Sequence, residues 1–114
     1  MNAKQFQRYL VRDGGCVHCG ELDAVAPHHR RNRGIGGSKK LDIPSNIITV
    51  CSLLNFLMEA DPNVAAQARQ NGWKLRHGEK PDEVPLWHYS RGWLTLDDEF
   101  KWKPAQQGGM LDGF

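Results

Sequence analysis

Hydrophobic positions follow the helical period near the N-terminus and the strand period further along the chain. Phe6, Tyr9 and Leu10 fall on one side of a helix predicted over residues 4–12, and the glycines after Asp13 end it. Short apolar segments bounded by glycine, proline or asparagine predict strands. In chain order the predicted elements are a helix over 4–12, strands over 25–30 and 47–50, helices over 52–60 and 61–70, and strands over 73–76, 86–89 and 93–96. Ser52 is the expected N-cap of the second helix.

This order of elements predicts an α+β fold in one small domain. We expect residues 1–103 to form the domain and residues 104–114 to form a flexible tail, because the tail shows no periodicity. A chain of 114 residues buries only a modest core, so a bound metal would be a useful staple. No segment is long and apolar enough to span a bilayer, and the N-terminus lacks the apolar stretch of a secretory signal. A soluble cytoplasmic protein without a membrane partner is expected.

The formal charge of +2 is unevenly divided along the chain. Residues 1–78 contain eleven lysines and arginines against six acidic residues, whereas residues 79–114 contain four against seven. A basic segment of this kind favours a polyanion such as DNA as the partner, although a solvated basic loop would carry the same charge.

The three cysteines cannot pair completely, and in a reducing compartment a Cys-x-x-Cys pair more often holds metal than a disulfide. Cys16 and Cys19 form such a tight knuckle over residues 16–20, and Cys51 is the third thiol. A structural Zn²⁺ would need a fourth ligand, for which His77 or His88 are candidates. The alternative is that the cysteines are small buried hydrophobes.

A polar set on the predicted strand–loop–strand–helix segment suggests a second metal site. Asn55 and Glu59 lie one turn apart on the same helix face, and His28 lies on the strand that this helix would cover. An imidazole nitrogen with amide and carboxylate oxygens suits Mg²⁺, Mn²⁺ or a similar divalent ion.

The neighbouring His29 points to the opposite face of the strand and is a candidate general base. A general base needs a second group that fixes its tautomer, and Asn46 is the candidate to orient the His29 ring. The loop between the strands is rich in glycine and in basic residues that could hold DNA phosphates. These are Arg30, Arg31, Arg33, Lys39 and Lys40.

These residues together resemble the HNH endonucleases with a ββα-metal fold, particularly the small phage-encoded type. The matching positions are Cys16-x-x-Cys19, His28-His29, the glycine-rich basic loop, Asn46, Cys51 and Asn55, with Asn46 and Asn55 nine residues apart as in that family. The resemblance covers residues 12–99, with the ββα core at about 24–60.

The resemblance implies hydrolysis of DNA phosphodiester bonds, by nicking or double-strand cutting, with one divalent ion such as Mg²⁺, Mn²⁺ or Ni²⁺. It implies His28 and Asn55 as metal ligands, Glu59 as a weaker third ligand, His29 as general base and Asn46 as the residue that tethers the loop. Many members carry a fourth zinc-binding cysteine where this chain has Leu54. A phage-encoded member would act in the host cytoplasm.

Two other classes of function stay open at this stage. A catalytically inactive HNH-like protein would use only the basic loop to bind nucleic acid. A phage accessory protein would use the acidic C-terminal third to contact a protein partner, and a homodimer would explain double-strand cutting by a chain with one active site.

Overall fold

The computed structural model describes residues 1–32 and 41–106 of the chain. Over these residues it is a small α+β domain with three helices and two antiparallel sheets, which confirms the predicted fold class at that level. The elements are α1 (Ala3–Asp13), β1 (Val25–His29), β2 (Ile47–Cys51), α2 (Ser52–Ala60), α3 (Pro62–Gln70), β3 (Leu86–His88), β4 (Gly92–Leu96) and β5 (Trp102–Pro104), with a short 3₁₀ turn at Pro44–Asn46 before β2.

Helix α1 begins at a capping box. The side chain of Asn2 accepts a hydrogen bond from the backbone N–H of Gln5, and the Gln5 side chain accepts one from the backbone N–H of Asn2. The helix ends at Gly14, whose φ of 70° is a left-handed conformation that glycine adopts without strain. The predicted helix over residues 4–12 is therefore confirmed, with one more residue at each end.

The strands β1 and β2 form an antiparallel hairpin that lies between two helices. Ile48 and Val50 on one face belong to the hydrophobic core with residues of α2, and His28 pairs with Ile48 and shares that face. His29 pairs with Ile47 and lies on the other face, which α1 covers. The alternation predicted for the two histidines is thus reflected in the strand register.

A buried ion pair attaches α1 to the hairpin. Arg12 and Asp13 are paired at 2.8 Å, and the Arg12 guanidinium also donates to the carbonyl of Ile47 at 2.6 Å. The Asp13 carboxylate accepts from the backbone N–H of Thr49, and the Asp13 carbonyl accepts from the ring of His88 at 2.7 Å. One residue pair therefore links α1 to both sheets.

Three sequence-based expectations need correction in the C-terminal half. The segment 73–76, predicted as a strand, has no strand pairing, because Trp73 and Lys74 instead donate backbone hydrogen bonds to Ala68 at the end of α3. The tail was predicted to begin at residue 104, but Pro104 is the last residue of β5, which pairs with β4. Cys51 rather than Ser52 is the N-cap of α2. Residues 107–114 of the predicted tail lie outside the described residues.

Candidate functional site

The three cysteines form one cluster, with their sulfur atoms within 4.8 Å of one another. Cys16 is fully buried, Cys51 is half-buried and Cys19 is exposed. Backbone N–H groups of His18 and Leu54 point at the sulfurs of Cys16 and Cys51, each at 3.4 Å. Three convergent sulfurs with N–H groups directed at two of them could bind a metal ion.

Local backbone shape explains why the knuckle comes together. Gly15 and Gly20 have φ values of 114° and 81°, and a Cβ on Gly20 would come within 2.9 Å of the Tyr89 ring. Burial raises the pKa of the Cys16 thiol to about 11, so without a metal this thiol stays protonated at neutral pH.

His88, a predicted fourth ligand for the cysteine cluster, is not available to bind a metal there. Both ring nitrogens of His88 are used in the fold, because Nε2 donates to the Asp13 carbonyl and Nδ1 accepts from backbone N–H groups after β3. Among the described residues, no histidine or acidic residue joins the three cysteines, so His77 does not join them either. Leu54 packs into the core at the place where a second Cys-x-x-Cys would put its last thiol.

His28 is held as a neutral imidazole with one defined tautomer. Its Nε2–H donates to the carbonyl of Trp73 at 2.8 Å, so the lone pair is on Nδ1. Burial lowers the pKa of His28 to about 4, with smaller opposing contributions from the Trp73 carbonyl and the Glu59 charge, and a further lowering by Lys74. Metal-ligating histidines commonly donate their second ring N–H in this way, so the arrangement is compatible with the predicted ligand role.

Asn55 and Glu59 lie on α2, which packs against the hairpin. The Glu59 charge opposes the lowering of the His28 pKa by burial. The side chain of Asn55 is half-buried and has no hydrogen-bond partner in the part of the chain that the structure describes. Glu59 is paired with Lys74 at 3.1 Å, which makes it the weaker candidate ligand.

His29 opens into a cavity of about 300 Å³ on the α1 side of the hairpin. Its Nε2 is 2.7 Å from the Oδ1 of Asp42, with both side chains partly exposed to solvent. Since a carboxylate accepts the hydrogen bond, the proton is on Nε2 and the lone pair of the neutral ring is on Nδ1. Arg8 and Tyr9 of α1, together with Phe100 from the turn between β4 and β5, line the same cavity.

Asn46 holds the two ends of the loop together rather than touching His29. Its side-chain carbonyl accepts from the backbone N–H of Arg31 at 2.8 Å, and its amide donates to the carbonyls of Arg31 and Leu41 at 3.1 and 2.9 Å. The side chain is completely buried. The expected tethering is therefore present in the geometry, whereas the contact that orients His29 comes from Asp42.

Arg30 corrects the expectation that it binds DNA. The residue is 1% exposed, and its guanidinium donates to four backbone carbonyls at 2.7 to 3.0 Å. The acceptors are the carbonyls of Gly72, Ser45, Pro81 and Val84. Burial lowers the pKa of Arg30 to about 9. This arginine fastens the segment after α3 to the end of β1 and has no edge left for a phosphate.

The other loop cations are only partly described. Arg31 is half-exposed beside Asn46, whereas Arg33, Lys39 and Lys40 lie outside the described residues. The residue that sequence reasoning missed is Asp42. Its signal was present, since it is the first acidic residue after the histidines and follows a run of basic residues.

No protein-family model matches the chain, and neither a curated protein nor a solved structure shows significant similarity to it. The structure itself defines a small α+β domain with a hairpin between two helices, a three-cysteine cluster and a histidine–aspartate pair in an open cavity. Within residues 1–32 and 41–106, no helix has the length and apolar character needed to cross a membrane.

Proposed function

We propose that this protein is a metal-dependent DNA endonuclease in which His29 is the general base. The observation that carries the proposal is the pairing of His29 with Asp42 at 2.7 Å inside an open cavity. The proposal treats the hairpin and α2 as a ββα-metal motif of HNH type, as in small phage-encoded enzymes, and a chain of that kind would act in the cytoplasm of a host cell.

The histidine–aspartate pair supplies the proton chemistry. Asp42 accepts the Nε2–H of His29, which leaves the Nδ1 lone pair free to take a proton from an attacking water. The imidazolium that results stays next to the Asp42 carboxylate, which stabilises its charge. Hydroxide attack on the phosphorus would then break the bond to the 3′ oxygen, which takes a proton from solvent, and leave a 5′-phosphate and a 3′-hydroxyl.

The side chains proposed as ligands on β1 and α2 have the chemistry that suits a hard divalent ion. His28 presents a neutral nitrogen with its other N–H already donated, and Asn55 presents an amide with no partner among the described residues. These two side chains would hold Mg²⁺, Mn²⁺ or Ni²⁺, with Glu59 contributing charge from one turn further along α2. When bound, the ion stabilises negative charge on the phosphate and on the departing oxygen.

The positions of His28 and His29 on β1 restrict where the DNA phosphate can bind. His28 and His29 leave β1 on opposite faces, and both are at its last two positions. Their Cα atoms are about 3.8 Å apart, as in any trans-linked pair. The proposal therefore requires the phosphate to be cut to lie at the end of β1, within reach of both side chains.

Two further features support a site for DNA at this end of the hairpin. Asn46 closes the base of the loop that carries Asp42, so the loop delivers the carboxylate to His29. Arg31, Arg33, Lys39 and Lys40 belong to the same loop and are proposed to hold DNA phosphates. A structural Zn²⁺ at the three cysteines would staple the knuckle to β2.

The test is a plasmid nicking assay with Mg²⁺, Mn²⁺ or Ni²⁺ and with EDTA. Wild type is expected to convert supercoiled plasmid to open-circular or linear DNA only with metal. His29→Ala is expected to lower the rate by about 10²- to 10⁴-fold, the range for loss of a general base. His77→Ala replaces an exposed histidine and is the matched control, expected to cut at the wild-type rate.

DNA binding without cleavage under every metal would refute the nuclease and favour an inactive nucleic-acid-binding protein. Equal cleavage by His29→Ala and wild type would refute the assignment of the base.

A further inference from the structure

A groove runs from the His29 cavity along the outer side of α1. The cavity shares Arg8 and Phe100 with a neighbouring hollow of about 630 Å³, and that hollow shares Val11, Arg12 and Phe100 with a third of about 390 Å³. The third hollow ends at Arg91 and Trp102. We call these three neighbouring hollows, which share lining residues, the α1 groove.

The α1 groove carries an excess of positive charge. Among the described residues, its lining contains two lysines and three arginines and a single carboxylate, Asp42, which is bonded to His29. One of the arginines, Arg12, is buried and neutralised by Asp13. The other cations are Lys4, Arg8, Lys101 and Arg91, and the Nη1–H of Arg91 donates to the carbonyl of Arg12 at 2.7 Å. A lining of this kind complements a polyanion.

Two of these arginines lie over aromatic rings. The Cζ atom of Arg8 is 3.8 Å from the centre of the Phe100 ring, and the Cζ atom of Arg91 is 4.6 Å from a ring of Trp102. A guanidinium stacked on a ring loses less freedom when it binds a phosphate. Arg91 would bind through N–H groups other than the Nη1–H that it donates to the Arg12 carbonyl. Arg8 is exposed and makes no hydrogen bond or ion pair with any described residue.

The ring under Arg8 is held at a strained position. Phe100 has a φ of 62°, a left-handed conformation that is strained for a residue with a Cβ. The turn imposes this conformation, since the Asp97 carboxylate accepts from the backbone N–H groups of Glu99 and Lys101. The ring also lies 4.9 Å from that of Tyr9, so Phe100 connects the turn to both α1 side chains.

We propose that the α1 groove binds the sugar–phosphate backbone of DNA next to the phosphate cut at His29, with Arg8 and Arg91 as phosphate contacts. This inference rests on the proposed function and assigns it a substrate path. The arginines cover the aromatic faces on which bases would otherwise stack, so the contacts are to phosphates and are independent of sequence.

The experiment measures the salt dependence of DNA affinity by fluorescence anisotropy. A labelled 20-base-pair duplex is titrated with His29→Ala protein at several KCl concentrations in buffer without divalent metal, so that no cleavage occurs. Each lost phosphate contact is expected to reduce the slope of log affinity against log salt by about 0.9. Arg8→Gln, which breaks no internal hydrogen bond, should show this change, and Arg8→Gln with Arg91→Gln should show about twice as much.

The control is Lys80→Gln, which removes one positive charge from an exposed side chain outside the groove. Its slope is expected to equal that of the parent. An unchanged slope in Arg8→Gln, or an equal change in Lys80→Gln, would overturn the assignment. So would competition by a poly-glutamate peptide as effective as the duplex, which would point to an acidic protein partner instead.

The result is independent of the nuclease assay. If Arg8→Gln reduces the slope of log affinity against log salt but the wild type never cuts DNA, the α1 groove binds DNA and the proposed nuclease function is refuted. If the wild type cuts DNA but Arg8→Gln leaves the slope unchanged, the nuclease function is supported and DNA binding by the α1 groove is refuted. Absence of any DNA binding would refute both.

Discussion

Replacing Arg30 by methionine should destabilise the protein strongly, because this arginine holds four backbone carbonyls at 2.7 to 3.0 Å in a fully buried position. Hydrogen bonds to charged groups contribute about 1.5–3 kcal/mol each, which is about 6–12 kcal/mol for four. The burial of the charge offsets several kcal/mol of this sum. We expect a net loss of about 3–5 kcal/mol, a large part of the roughly 5–15 kcal/mol that stabilises a domain.

The assay is urea denaturation followed by tryptophan fluorescence and far-UV circular dichroism. With an m value of about 2 kcal/mol/M, the midpoint should fall by about 2 M. Arg69→Met is the control, since Arg69 is exposed on α3 and its change should shift the free energy of unfolding by less than about 0.5 kcal/mol. Arg30→Lys keeps the charge but not the four-donor fork, so its loss should be intermediate.

A loss below about 1 kcal/mol in Arg30→Met, together with weaker DNA binding, would refute this reasoning. Such a result would indicate that Arg30 is exposed and contacts DNA, as the sequence predicted.

The remaining predictions concern His28, the cysteine cluster and Asn46. The pKa of His28 is about 4 in the fold and about 6.5 when unfolded, so below pH 6.5 the unfolded chain binds the extra proton first. Urea titrations in EDTA should show a loss of up to about 3 kcal/mol from His28 between about pH 6.5 and pH 4. The loss should be smaller in His28→Gln, which keeps the contribution of His88, whose pKa is also lowered by burial. Zn²⁺ should raise the Tm measured by differential scanning fluorimetry, and Cys19→Ser should abolish the increase; an equal increase in both proteins would exclude the cluster as the site. Asn46→Ala removes three buried hydrogen bonds, so urea denaturation should show a loss of about 2–4 kcal/mol, and a loss under 0.5 kcal/mol would contradict the tethering role.

Much of the fold was predictable because periodicity and capping residues agree along the chain. Asp61 caps α3 just before Pro62, and β1 and β2 begin at the predicted residues. The segment 73–76 was not predictable, because its alternating residues suit a strand while the end of α3 takes their backbone N–H groups. Strand β5 is short and exposed, so its sequence has no buried face to show a period.

The sequence predicted the residue types of the candidate site, but it did not predict which distant residues contact one another. The alternation of a strand already separates His28 from His29. Whether an arginine in a basic run faces solvent or the interior depends on carbonyls more than 40 residues away, such as that of Gly72 for Arg30. Likewise, Arg8 and Phe100 meet only after β4 and β5 bring their turn to α1, so no local pattern connects them.

The most direct measurement is imidazole rescue of DNA nicking by His29→Ala with Mg²⁺ present. If His29 takes a proton from water, the variant should be nearly inactive, and free imidazole should restore cleavage in proportion to its concentration. The same imidazole should leave wild-type cleavage unchanged. A His29→Ala protein that cuts at the wild-type rate, or an inactive variant with native circular dichroism that imidazole does not rescue, would contradict the role of His29 as the general base.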